Sequence, residues 1–293
     1  MTPEQIKQAH RNAAACSNRL RLPLRSKVWR GSAGEFSGAG AGSSLDFQDH
    51  RDYAPGDDPR HINWQAYART GQYTMKLYRE EVRPIIDLIV DVSPSMFVEE
   101  TKAQRTAELI AFFTESSLRA GASLKIHFVS GSAHREIPAD AINSQRWLPI
   151  AQEVQAQDPA GELNLSALQL RASAFRVLVS DLLFPGDPNP LLTFLTHRHG
   201  TPLLFVPYLQ SEADPDWEGN YEFVDPERNS RHPHRIEPRA LKAYLEAYRR
   251  HFTLWKTSAQ RLQILLSRIP ADLDLEKALH TEALPIQALE VLS

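Results

Sequence analysis

The stretch "IIDLIVDVSPSM" at residues 85–96 limits the fold of this chain more than any other. An apolar run this continuous leaves no face for water. It reads as a strand buried on both sides, the condition of a parallel sheet covered by helices. From residue 83 onward strand and helix signals alternate. Strands are predicted over 85–92, 123–130, 174–181, 201–208 and 220–225. Between them, residues 101–121 read as a helix with Ala107, Ile110, Ala111, Thr114 and Leu118 on one face and Gly121 as its stop. Shorter helices are expected near 141–155, 164–172 and 188–198. A long one is expected from Pro238 to Ser267, with Tyr244, Ala247, Tyr248, His251 and Leu254 at helical spacing. The expected class is α/β, a mostly parallel sheet flanked by helices.

Ahead of the sheet, Thr2 can cap a helix, Pro3 fits its first turn and Gln5 can complete a capping box. A short helix to about Cys16 is predicted. The segment "RGSAGEFSGAGAGSS" (30–44) reads as a loop. It lacks the Gly-Lys-Ser/Thr ending of a phosphate loop and the helix that follows a dinucleotide fingerprint. Residues 1–30 carry Lys7, Arg11, Arg19, Arg21, Arg25, Lys27 and Arg30 against Glu4. Such a basic arm is either solvated or docks on an acidic partner or a membrane surface.

The net charge of -3, with 24% charged residues, gives no electrostatic reason to expect nucleic-acid binding. A single cysteine, Cys16, excludes an internal disulfide and any cysteine-rich metal site. No segment offers the roughly 18 uninterrupted apolar residues of a membrane helix. The opening residues also lack the apolar core of a signal peptide. The expected location is the cytoplasm.

Ligands of an open parallel sheet bind at the carboxyl ends of its strands, where Asp91, Ser93 and Ser95 fall. One carboxylate and two hydroxyls from one tight loop suit a hard cation such as Mg²⁺, which takes oxygen ligands and keeps several waters. The ion would stay under-neutralised and could draw an acidic residue of another protein as a further ligand. The same residue types also serve as ordinary turn and helix-capping groups.

Asp-x-Ser-x-Ser after an apolar strand resembles the metal-ion-dependent adhesion site of von Willebrand factor A domains. That resemblance implies a Rossmann-like sheet and two further ligands, a Thr from a second loop and an Asp from a third. Asp181 stands in the third-loop position, in "VLVSDLLFPG". In the second loop, "AGELNLSAL" (160–168), Leu163 stands where Thr is expected, with Asn164 and Ser166 as the nearest substitutes.

Residues 45–84 interleave charges and aromatics with turn signals, and read as a loop-rich layer in which Arg51, Arg60 and Arg69 pair with Asp52, Asp57 and Asp58. The order Asp46, Phe47, Arg51, Tyr53, Pro55, Gly56, Asp57, Asp58, Arg60, Ile62, Trp64, Ala68, Arg69, Gly71 closely resembles the signature of the domain-of-unknown-function-58 family. In that family it likewise precedes an Asp-x-Ser-x-Ser-Met loop. Asn63 departs from the family's usual Asp before Trp. The resemblance implies a von Willebrand factor A-like domain working beside MoxR-type AAA+ ATPases, and hence an adaptor rather than an enzyme. For Arg51, Tyr53, Gly56, Asp57, Asp58, Arg60, Trp64 and Arg69 both a packing role and a partner contact stay open.

The expected organisation is a basic helix and arm at 1–30, a family-specific segment at 31–83, the von Willebrand factor A-like domain at 84–235 and a helical extension at 236–293. The expected function is non-catalytic: Mg²⁺ on Asp91, Ser93, Ser95 and Asp181 bridges to a MoxR-type ATPase or its client. A metal-independent interaction protein with a vestigial site is the alternative, which Leu163 favours. A metal-dependent hydrolase would recruit Asp91, Asp181, Asp57 and Asp58, but hydroxyl ligands suit binding better than chemistry. There is no Gly-x-Ser-x-Gly nucleophile elbow. The histidines at 127, 134, 197, 199, 232 and 234 lack the spacing of a zinc set and read as surface or packing residues.

Overall fold

A computed structural model of the chain describes residues 1–24, 45–80, 83–159, 162–226 and 230–292. The chain divides into two compact units, Met1–Lys27 with Pro84–Ser293, and Val28–Arg83. The glycine-serine segment 30–44 lies outside the described residues, as do Arg25, Lys27 and Arg30.

The larger unit is built on a six-stranded sheet. Its strands are β1 (Ile85–Asp91), β2 (Ser123–Ser130), β3 (Ala133–Ile137), β4 (Phe175–Val179), β5 (Thr201–Tyr208) and β6 (Leu265–Pro270). They lie in the order β6-β5-β4-β1-β2-β3, all neighbours parallel except β2 and β3. This is the Rossmann strand order, whose chain reverses direction of travel between β1 and β4. The α/β class read from the sequence is the observed one. Every residue of β1 after Ile85 is buried, with Ile86, Leu88 and Val90 in one core and Ile89 in the other. The continuous apolar run follows from burial on both faces.

One face is covered by α1 (Pro3–Ser17), α2 (Glu100–Arg119), α3 (Trp147–Gln157) and the C-terminal helix Leu275–Glu282, the other by Asn189–Thr196 and Pro238–Arg261. The capping box at Thr2 and Gln5 forms as predicted. Residues 1–24 are not a solvated arm, because Ile6, Ala9, Ala13 and Cys16 are buried in the main core. Leu20–Arg21 also pairs antiparallel with Glu290–Val291. The basic residues there are matched by carboxylates, Arg19 by Glu276 and Arg21 by Glu290, both at 2.6 Å.

Four expectations change. The helix from Pro238 ends at Arg261, and the chain then forms edge strand β6. Residues 236–293 therefore complete the sheet rather than extend it. Residues 164–172 turn without forming a helix, held to β1 by the Arg171 guanidinium at 2.7 Å from the buried Asp87 carboxylate. The strand near 220–225 is real, but it belongs to a separate hairpin of Gly219–Asp225 with Ser230–Ile236. On α2, Leu118 is 41% exposed while Lys102, Thr106 and Phe113 are buried, since this helix packs between the sheet and α1.

Gly131, with φ +55°, turns β2 into β3, and its carbonyl accepts from the Asn164 amide at 2.9 Å. A Cβ there would collide with the Asp158 carboxylate, which accepts from the amide and hydroxyl of Ser132. Gly131→Ala adds left-handed strain to overpacking and is expected to cost about 2–3 kcal/mol. Urea unfolding of the variant checks this; a loss below about 1 kcal/mol would mean the turn relaxes freely.

The smaller unit is a two-stranded antiparallel pair, Leu45–Asp52 with Thr74–Glu80, bridged by the helix Trp64–Thr70. It is therefore more ordered than the loop-rich layer expected. Asn63 caps that helix by accepting from the Ala66 amide at 3.2 Å. Gly71 ends it in the left-handed conformation.

Candidate binding site at the sheet edge

The strand register sets the site. Val90 of β1 lies opposite Val179 of β4, so Asp91 and Ser180 leave the sheet side by side at its switch point. The Ser180 hydroxyl donates to Asp91 Oδ2 at 2.6 Å, and the Ser93 amide donates to Oδ1 at 2.9 Å. The hydroxyls of Ser93 and Ser95 stand 3.1 Å apart, half-buried above this carboxylate. The turn Pro94–Met96 that presents them is anchored by the fully buried Met96. Asp91 is 3% exposed, and burial, followed by the charge of Asp181, raises its pKa to about 6.

Asp181 follows β4 and is equally buried. Its Oδ2 accepts from Lys102 Nζ at 2.8 Å and its Oδ1 from the Leu183 amide at 3.1 Å. Lys102, in the first turns of α2, is 1% exposed and donates also to Glu212 Oε1 at 2.9 Å. Burial opposes its charge, but the two carboxylates outweigh that and hold its pKa above the ordinary lysine value. Between Asp181 and Leu183 the backbone is strained: Leu182 is fully buried with φ +55°. Its carbonyl bonds the His251 ring at 2.7 Å. A non-glycine residue held in this region costs about 1–3 kcal/mol, and such residues gather at functional sites.

The sequence-predicted set is thus drawn together, but not as one ligand shell. Asp91, Ser93 and Ser95 form one group, and Asp181 belongs to a buried ion pair. The second loop adds no ligand: Leu163 packs on the apolar core, and Asn164 Oδ1 accepts from the Ser166 amide at 3.0 Å. Among the described residues no group of three or more His, Cys, Asp and Glu side chains could hold a metal. Mg²⁺ takes oxygen ligands in near-octahedral array. Asp91, Ser93 and Ser95 supply oxygens from one loop, whereas Asp181 would have to leave Lys102. The four residues do not form one cation shell. Lys102, Ser180 and Glu212 were missed from the sequence. Lys102 shares a helical stripe with Thr106 and Phe113, the signal that could have placed it inside.

In the smaller unit the signature residues build a turn. Arg51 grips Asp57 bidentately at 2.6 and 2.8 Å, and Asp57 also accepts from the Ala54 amide at 2.8 Å. The Arg51 bond, then that amide, hold the Asp57 carboxyl below its usual range. Gly56 takes φ +107° at the bend. Asp58 caps Pro59–His61 and pairs with Arg60 at 2.6 Å. Tyr53 lies beside Tyr73, which stacks on Tyr67 at 4.4 Å. Trp64 meets that stack edge-on and is 57% exposed, and Arg69 is exposed as well.

A protein-family model described as "Protein of unknown function DUF58" matches residues 49–253. No curated protein matches the sequence. One similar solved structure is the crystal structure of an aerotolerance-related membrane protein from Bacteroides fragilis NCTC 9343 with multiple mutations to serines. The two are 12% identical, the match covers 60% of this chain and 99% of that one, and the TM-score is 0.31. No helix among the described residues is long and apolar enough to cross a membrane.

Proposed function

Because this chain belongs to the family described as protein of unknown function DUF58, we propose that it works as a non-catalytic protein-interaction module that docks a partner at the carboxyl edge of its sheet. The observation that carries this reading is the Lys102–Asp181 ion pair at 2.8 Å. A fixed ammonium neutralises the carboxylate that a bridging metal would need. The other two carboxylates packed around this pair are also engaged, Asp91 by Ser180 and Glu212 by Lys102. What the edge offers outward is the Ser93 and Ser95 hydroxyl pair. The same loops carry exposed apolar side chains, Val98 at 54% and Leu183 at 40%. A polar centre with apolar neighbours suits a protein surface.

The partner we propose is a MoxR-type AAA+ ATPase or a client delivered to it. This rests on the likeness of residues 45–96 to the family signature. The bonds from Arg51 to Asp57 and from Arg60 to Asp58 support a packing role for the signature residues.

The test is calorimetric titration of Mg²⁺ and Mn²⁺ into the full chain and into Asp91→Ala. The expected result is no saturable heat in either protein and partner capture unaffected by chelator. Binding to the native chain that vanishes in the variant would instead support an ion on Asp91, Ser93 and Ser95, bridging to a partner carboxylate.

A further inference from the structure

Edge strand β6 carries chemistry that the carboxyl-edge site does not use. It pairs with β5 on one side only, so its outer N–H and C=O groups face no strand among the described residues. An open edge is a template for another strand. Alongside it runs a groove of about 770 Å³, walled by Tyr208, Ser267 and Arg268 of the sheet and by Tyr248 and Phe252 of the helix Pro238–Arg261.

Arg268 is the unusual member. Its guanidinium carbon lies 4.1 Å from the Phe252 ring centre, 4.2 Å from Tyr208 and 5.3 Å from Tyr248, whose hydroxyl accepts one of its N–H groups. Rings on several sides hold the planar fork in place. Its Nε is buried without a hydrogen-bond partner, and no carboxylate is paired with it among the described residues. Arg249 and Lys256, exposed on the helix wall, have no ion-pair partner there either. Asp214 and Glu282 line the groove too, leaving cations in excess, three to two.

We propose that this edge binds an extended, acidic segment of a partner protein, which adds to β6 as a further strand and sets one carboxylate on Arg268. Backbone hydrogen bonds to an edge give affinity, and side-chain pockets give selectivity. A positioned, partly desolvated guanidinium forms the stronger class of charge-assisted bond. The site is separate from the switch-point surface proposed above and does not depend on it.

The experiment selects a random phage-displayed peptide library on the full chain, then measures the best peptide by fluorescence anisotropy. Enriched peptides are expected to carry Asp or Glu in an alternating pattern without internal proline. Arg268→Gln should weaken binding about tenfold or more. Lys256→Glu, on the exposed helix surface and remote from the core, should weaken it severalfold. N-methylation of alternate peptide amides should abolish it. If Arg268→Gln fails to fold, the Lys256→Glu and N-methyl comparisons decide. The proposal falls if no peptide is enriched, if selected peptides lack acidic residues, or if binding survives every N-methylation. It falls too if inorganic phosphate raises the melting temperature while no peptide binds, which would assign Arg268 to a small anion.

Discussion

Lys102→Met will destabilise the protein by about 3–5 kcal/mol near neutral pH, the loss that follows when one partner of a buried ion pair is removed. Asp181 is 3% exposed and would be left with the Leu183 amide as its remaining donor, while Glu212 would lose the same ammonium. The double variant Lys102→Met with Asp181→Asn removes the orphaned charge, and should recover roughly half or more of the loss. Denaturant unfolding of the three proteins at about pH 7.5 measures both the loss and its recovery. A single-variant loss under about 1 kcal/mol would show that water already screens the pair, and would return Asp181 to the list of available ligands.

Asp91→Asn is expected to act in the opposite direction. The folded carboxyl has a pKa near 6, raised above an ordinary value of 3.8 by burial and then by the Asp181 charge. Below about pH 4 both folded and unfolded forms are protonated. As pH rises toward 6 the unfolded chain releases its proton first, so the native protein loses stability over this window and stays at the lower level above it. The size of the loss is on the order of 3 kcal/mol, at about 1.36 kcal/mol per pKa unit. Asn carries no charge, its carbonyl can still accept from the Ser93 amide, and its amide can donate to the Ser180 hydroxyl. Measured in chelator, the variant should be about 2–3 kcal/mol more stable at about pH 7.5, with the slope between about pH 4 and 6 removed. An unchanged slope would mean Asp91 titrates normally. Keeping a carboxylate where it weakens the fold is what a functional site does when binding, not stability, selects the residue. Mg²⁺ sharpens the comparison, because an ion bound by Asp91 would stabilise the native chain in proportion to its occupancy and leave the Asn variant unmoved.

Much of the fold is legible from residues alone because sheet burial writes itself into short, contiguous patterns. β1, β2, β4 and β5 appear as apolar runs since each is covered on both faces. Strands β3 and β6 do not, since an edge strand tolerates exposed polar residues such as His134, Arg135 and Glu136. In "LLSRIP" the apolar run is broken by Ser267 and Arg268, so by sequence it reads as the end of the preceding helix. The N-terminal segment misled differently: its basic residues looked solvated because their carboxylate partners, Glu276 and Glu290, lie more than two hundred positions away.

The candidate site divides along the same line. The sequence by itself determined that small oxygen-bearing side chains end a buried strand, because apolar run and loop are adjacent, and that Asp181 ends another. Only the tertiary structure decided what those oxygens meet. Lys102, Asp181 and Glu212 come from a long helix, a strand end and a later short helix, and a parallel sheet brings both carboxylates within 2.9 Å of the ammonium through crossovers that no local spacing records. Whether a buried carboxylate faces an ion or an ammonium depends on that three-dimensional neighbourhood, since the charge that satisfies it acts through space and not along the chain.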